Sequence, residues 1–200
     1  MIVKVCGLTP RTPLKQLKTL PLQWGGLIFV ETSPRYVGDL PPFKLPANLK
    51  RVGVFKNRLP AHIQRIAGLW KLDMIQLHGN ETPDAVEELH EYGFQVIKAI
   101  AIKKPADLAK ADRYEDADYL LFDRPGGGTG EKFDWSLLSA YDGEVPFLLA
   151  GGIGPEDAAR VAALRHPKLA GFDLNSRFES APGAKDPSLL YQFLHHELPR

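Results

Sequence analysis

Short apolar runs rich in β-branched residues recur along this chain, and each is followed by a polar stretch able to form a helix. The runs fall at residues 2–5, 26–30, 51–55, 74–77, 95–100, 119–122, 146–150 and 171–174. Most are continuously apolar rather than alternating, which is the pattern of strands covered on both faces, as in a parallel sheet with crossover helices. Between them, residues 61–69, 83–92 and 155–164 space their apolar positions as amphipathic helices do. Gly154 can cap the third of these. Pro155 suits its first turn, and Glu156 and Asp157 sit at the positive end of its dipole. A last helix is expected over 189–194, with Asp186 as N-cap and Pro187 behind it.

Eight strands alternating with crossovers close a barrel. The expected fold is α/β, a single (β/α)8 barrel spanning residues 1–200, although 200 residues is short for one. The second crossover carries Pro34, Pro41, Pro42 and Pro46 and is expected to be loop with at most a short helix. The stretch 103–118 is irregular, and the proline-rich first crossover leaves the length of helix one open.

Composition narrows the function. Twenty-four acidic residues nearly balance 25 basic ones, which favours a small-molecule partner over nucleic acid or a membrane surface. Cys6 is the one cysteine, so no internal disulfide forms and a reducing compartment, the cytoplasm, is expected. The first ten residues hold no apolar run of signal-peptide length. His62, His90, His166, His195 and His196 fall on expected helices or their ends without metal-ligand spacing, and no metal is expected.

In such a barrel the strand C-termini share one face, so the polar residues that follow each strand converge on a common mouth. Cys6 ends the first strand in KVCGLT, with Gly7 allowing a sharp turn behind it. It reads either as a small buried hydrophobe or as a general base. For the second role its thiol must be activated, since an ordinary value near ~8.5 leaves few per cent thiolate at neutral pH. Asp123 ends the sixth strand in YLLFD, where it reads as a proton donor or as a loop cap paired with Arg124.

LAGGI, with Gly151 and Gly152, ends the seventh strand and opens the clearest helix, placing bare amides where a phosphate can bind. Close helix packing would explain the same glycines. Ser176 and Arg177, past strand eight, would complete that anion site, beside Asp173 and Asn175. Arg35 in SPRYV could clamp a carboxylate through a two-pronged contact or merely decorate the surface. His78 in QLHG and Gly128 in the GGGTG loop are further pocket candidates, weak by themselves.

Taken in order, KVCGLT, GLIFVETSPRYV, RVGVF, IQLHG, VIKAI, LLFD, GGTGEKFDW, LAGGIGPED, GFDLNSRFE and PGAKD resemble the phosphoribosylanthranilate isomerases along nearly the whole chain. The resemblance implies a TIM barrel that catalyses an Amadori rearrangement in tryptophan biosynthesis, without metal or organic cofactor; the helical exterior of such a barrel could support a monomer or a homodimer. It assigns the general base to Cys6, the general acid to Asp123, the anthranilate carboxylate to Arg35 and the phosphate to Gly151, Gly152 and Ser176. This sequence departs from the family pattern at Arg177, which stands where a glycine is usual, and in the acid loop 124–132, which is shorter than common. Two other readings compete: a noncatalytic sugar-phosphate-binding barrel, and another phosphate-binding barrel isomerase or lyase. Neither accounts for a separated cysteine and aspartate as directly, since a binder needs no acid and base.

Overall fold

The computed structural model describes residues 1–126 and 134–195. Eight parallel strands close a barrel in chain order: β1 (Ile2–Val5), β2 (Trp24–Ile28), β3 (Lys50–Phe55), β4 (Met74–Leu77), β5 (Gln95–Ala101), β6 (Tyr119–Asp123), β7 (Phe147–Leu149) and β8 (Leu169–Leu174). The barrel is completed by β1 pairing with β8, Lys4 opposite Asp173 and Val5 opposite Leu174. All eight expected strands are present, with ends displaced by a residue or two.

Alternation along the strands sorts side chains into two layers. One parity, including Val3, Val5, Ile75, Leu77, Phe122, Phe172 and Leu174, packs outward into the shell of helices and loops. The other parity fills the barrel. Trp24, Val52, Met74, Ile97, Leu121 and Leu148 form its apolar floor, and the Trp24 ring meets Tyr119 edge-on at 5.1 Å. One or two layers above this floor the same parity turns polar, and that change places the site.

The helices follow the expected pattern: α1 (Leu14–Leu17), α2 (Pro60–Trp70), α3 (Pro83–Glu91), α4 (Ala158–Ala163) and α5 (Pro187–Leu194). Proline opens α2, α3 and α5 at its first turn, where its missing N–H is not needed. Asp186 caps α5, its carboxylate accepting the Ser188 N–H at 2.8 Å. The helix expected at 155–164 begins as a 3-10 turn, Pro155–Asp157, and Asp157 accepts the Gly154 N–H at 2.8 Å. The first crossover supports a single helical turn. The second has none among its residues, and 3-10 segments at Pro105–Tyr114 and Trp135–Ala140 replace two further helices. A small antiparallel hairpin, β9 (Glu179–Ala181) with β10 (Ala184–Lys185), follows β8 and was not expected. Among the described residues no helix is long and apolar enough to cross a membrane.

Candidate active site

The strand C-termini open into a cavity of about 970 Å³. Cys6, Arg35, His78, Asp123, Gly151, Gly152, Asp173, Asn175 and Ser176 all line it, so one mouth collects nine of the residues singled out from the sequence. The reason is parity. Lys4 and Cys6, Gln76 and His78, Leu121 and Asp123, and Asp173 and Asn175 are two apart on strands whose lower members face the barrel interior. Gly128 lies outside the described residues.

Cys6 is buried against Ile28 and Val54. A Cβ on Gly26 would come within 2.7 Å of its sulfur, so β2 must carry glycine there. Burial pushes the thiol up; Lys4 and Lys185 pull it back, and Asp173 adds to the rise. Behind it Gly7 sits at φ +74, and an added Cβ would lie 2.5 Å from Arg35 Cδ and 2.9 Å from Asn175 Oδ1. The turn after β1 is therefore shaped to admit Arg35.

Asp123 stands on β6, three strands from β1 around the barrel, and is largely buried. Its Oδ1 accepts the Arg124 N–H at 2.8 Å, and its Oδ2 lies 3.5 Å from His78 Nε2. The other ring nitrogen of His78 is 2.9 Å from the Gln76 side-chain amide nitrogen. With that amide donating, the imidazole proton resides on Nε2 and faces Asp123.

Arg35 is 6% exposed and is no surface decoration. Glu179 takes one edge of its guanidinium: Nε lies 2.9 and 3.0 Å from the two carboxylate oxygens and Nη2 2.7 Å from Oε2. This fixes the plane of the group and leaves the Nη1–Nη2 end for a second carboxylate. Lys185 completes the cluster, donating to Glu179 Oε1 at 2.5 Å and Asn175 Oδ1 at 2.8 Å. Burial, opposed by Glu179, brings its ammonium down to about 8. Glu179 remains below the usual glutamate value because Arg35 and Lys185 outweigh its own burial.

On the far side of the mouth Gly151 and Gly152 both adopt positive φ, +82 and +72. Consecutive residues at positive φ are a conformation that glycine adopts without strain, so the turn after β7 asks for this pair. Ser176 lines the same cavity.

Arg177 does not join it. Its guanidinium bonds Glu156 Oε1 at 2.8 Å, both side chains being about half exposed, and the residue is absent from the described cavity lining. Arg177 is also absent from the positive-φ residues, so its backbone has no need of the glycine usual there. In this structure the Arg177 side chain is thus engaged in a surface ion pair rather than in the cavity.

Sequence reasoning missed the buried charges under and around the mouth. Lys4 is wholly buried and donates to Asp173 Oδ2 at 2.8 Å, while Asp173 Oδ1 is buried without a hydrogen-bond partner. Lys98, beneath the loops that follow β3 and β4, pairs with Glu81 at 2.9 Å. The signal available was a lysine interrupting an apolar strand, in IVKV and again in VIKAI. Among the described residues no three His, Cys, Asp or Glu side chains converge as a metal site.

The family model described as N-(5'phosphoribosyl)anthranilate (PRA) isomerase matches residues 3–196. The N-(5'-phosphoribosyl)anthranilate isomerase of Parabacteroides distasonis is 42% identical, with 99% of this chain and 94% of that one aligned. The crystal structure of phosphoribosyl anthranilate isomerase from Thermus thermophilus superposes with a TM-score of 0.85 at 30% identity, covering 98% of each chain. A structure of phosphoribosyl anthranilate isomerase holding reduced 1-(o-carboxyphenylamino)-1-deoxyribulose 5-phosphate matches at TM-score 0.80 and 28% identity, again over 98% of both chains. Barrel, ordered motifs and relatives agree, and this chain belongs to the N-(5'-phosphoribosyl)anthranilate isomerase family.

Proposed function

We propose that Cys6 is the general base and Asp123 the general acid of the Amadori rearrangement that converts N-(5'-phosphoribosyl)anthranilate to 1-(2-carboxyphenylamino)-1-deoxyribulose 5-phosphate. The observation that carries this reading is a thiol and a carboxyl group on separate strands of a closed barrel, both lining one cavity that also holds two left-handed glycines.

The chemistry needs only proton transfers. Asp123 protonates the ring oxygen of the ribose, whose bond to C1′ breaks to leave an iminium. The positive nitrogen acidifies the C2′ hydrogen. Cys6, as thiolate, removes that proton, and the electrons of the C–H bond form the C1′–C2′ double bond of an enol amine, which tautomerises to the ketone. Each positioned transfer is worth roughly 10² to 10⁴ in rate.

Binding at both ends aligns the reacting carbons. The phosphate is placed on the amides of Gly151 and Gly152 with Ser176, and the anthranilate carboxylate on the free end of Arg35, held in plane by Glu179. The unpartnered Oδ1 of Asp173 is a ready acceptor for a sugar hydroxyl. His78 keeps the Asp123 carboxyl aimed into the cavity. The relative crystallised with the reduced deoxyribulose phosphate carries a ligand with the same two anionic ends. A monomer or homodimer working in a reducing cytoplasm fits a single unpaired cysteine that must stay reduced.

Following the loss of substrate fluorescence tests the assignment. Cys6→Ser and Asp123→Asn are each expected to lower kcat at least about 10²-fold with the fold intact. Saturable binding without turnover in the wild-type protein would establish a binder instead, and near-normal turnover in either variant would remove that residue from its role.

A further inference from the structure

The assignment of Cys6 as the base leaves a chemical gap. The structure holds the sulfur in a pocket that favours the neutral thiol, whereas only the thiolate can take the C2′ proton. Resting on that assignment, we propose that Lys4 is the positioning residue that makes Cys6 a base, its buried ammonium serving as counter-charge to the thiolate while Asp173 governs how much of that charge the sulfur feels.

Lys4 lies on β1 and Cys6 directly follows its last residue, still bonded to the Leu174 carbonyl, so the two, two positions apart, share the interior face. The barrel register sets Lys4 directly opposite Asp173, and Nζ reaches Asp173 Oδ2 at 2.8 Å, close enough for its charge to act on the Cys6 sulfur as well. An ammonium beside a sulfur in such a low-dielectric layer stabilises its anion far more than the same pair would in water. Packing alone does not ask for a charge here. The floor beneath is apolar, from Trp24 to Leu148, and a buried ion pair seldom stabilises a fold more than apolar residues of like volume.

The other groups around the sulfur offer it less. Lys185, from the hairpin after β8, is a second cation, but Glu179 and Asn175 engage it. β2 and β3 present Gly26 and Val54, which carry no charge. Asp123 and His78 act on Asp173 from the far side.

The orphan Oδ1 of Asp173 gives the device a trigger. A sugar hydroxyl donating to Oδ1 draws carboxylate charge away from Lys4, and the ammonium turns to the sulfur. The thiol releases its proton to water, the thiolate takes the C2′ proton, and the thiol is restored as product forms. The base is thus armed by its own substrate.

Because Cys6 is the one cysteine of the chain, thiolate absorbance against pH, with Cys6→Ser subtracted, reads this sulfur alone. Asp173→Asn, which leaves Lys4 unneutralised, is expected to shift the thiol titration to lower pH than wild type. The double variant Lys4→Met with Asp173→Asn, which removes this buried ion pair and leaves the Lys185 cluster in place, is expected to shift it above wild type. At a given pH its thiolate fraction should be about tenfold below that of Asp173→Asn, a one-unit displacement. The acidic limb of kcat/KM in the double variant should move up in pH with its thiol, so that activity recovers as pH rises.

If Asp173→Asn fails to fold, double variant against wild type still decides, since the double variant removes the charges together. Coincident titrations in wild type and double variant overturn the proposal. Turnover retained by Cys6→Ser removes the base assignment instead, and leaves the thiol titration as an independent result.

Discussion

At the scale of single residues, the site depends on backbone conformations that only particular side chains permit. Gly7 is the clearest case, with φ +74 and no room for a methyl group beside Arg35. Gly7→Ala is expected to cost about 1–3 kcal/mol in backbone strain and to displace the guanidinium, so KM should rise more than kcat falls. Urea unfolding together with steady-state kinetics checks both parts, and an unchanged KM would show that the Arg35 position tolerates the push. Arg177 offers the opposite expectation. Its ion pair with Glu156 is exposed, and such pairs are worth little in water. Arg177→Gly should therefore leave KM at low salt within about twofold of wild type and stability within about 0.5 kcal/mol.

At the scale of elements, the loops after β3 and β4 are tied by a polar knot whose one trace in sequence is the lysine interrupting VIKAI. Glu81 Oε1 accepts the Asn57 N–H at 2.8 Å and the Gly79 N–H at 3.1 Å, while Oε2 pairs with Lys98. Lys98 in turn donates to the Gly79 carbonyl at 2.7 Å. Removing one partner strands the other charge in a dry site, so Lys98→Met is expected to cost on the order of 3 kcal/mol; Lys98→Met with Glu81→Leu should recover much of that loss in thermal or urea melts. If the double variant is no more stable than the single one, the Glu81 bonds to the loops outweigh its pairing with Lys98.

The same elements show what was legible beforehand. Eight apolar runs named all eight strands, because a strand buried on both faces is apolar along most of its length. Apolar spacing located α2 and α3 to within a residue at each end, and Asp186 with Pro187 marked the start of α5, since helix ends have local requirements. Cys6, Asp123 and the two glycines could be found as strand-end residues, because closing the barrel brings strand ends together whatever their order. The hairpin β9–β10 and the Arg35–Glu179–Lys185 cluster could not. Arg35 and Glu179 lie 144 positions apart, and no local pattern tells one buried glutamate from many exposed ones. Lys4 was hidden for a related reason: a lysine in a strand reads as an edge or surface position until the closed barrel puts it inside.

At the scale of the whole molecule, charge is divided unevenly between the two ends of the barrel, and acid should act on that division. The floor is held by apolar contacts, whereas the mouth is held by buried pairs whose carboxylates belong to Glu81 and Glu179. Burial alone would raise both carboxylates, but in each case the bonded cations win and the folded value lies below the ordinary glutamate value of 4.5. As pH falls through that value the unfolded chain takes up protons that the folded chain still refuses. The stability contributed by these pairs, full above the ordinary value, is lost as pH descends through the depressed folded values. Asp173 acts with the opposite sign, since burial raises it, but it is one group against two. Urea midpoints should therefore drop between about pH 7 and about pH 3.5, and Glu179→Gln should start lower and fall less steeply. Hydrogen exchange would locate the loss. The amides of Asn57 and Gly79, bonded to the Glu81 carboxylate, should lose protection in acid before those of β4, whose partners are backbone carbonyls that do not titrate. Uniform loss across mouth and floor would mean that the barrel unfolds as one unit, with no separate fraying of its catalytic face.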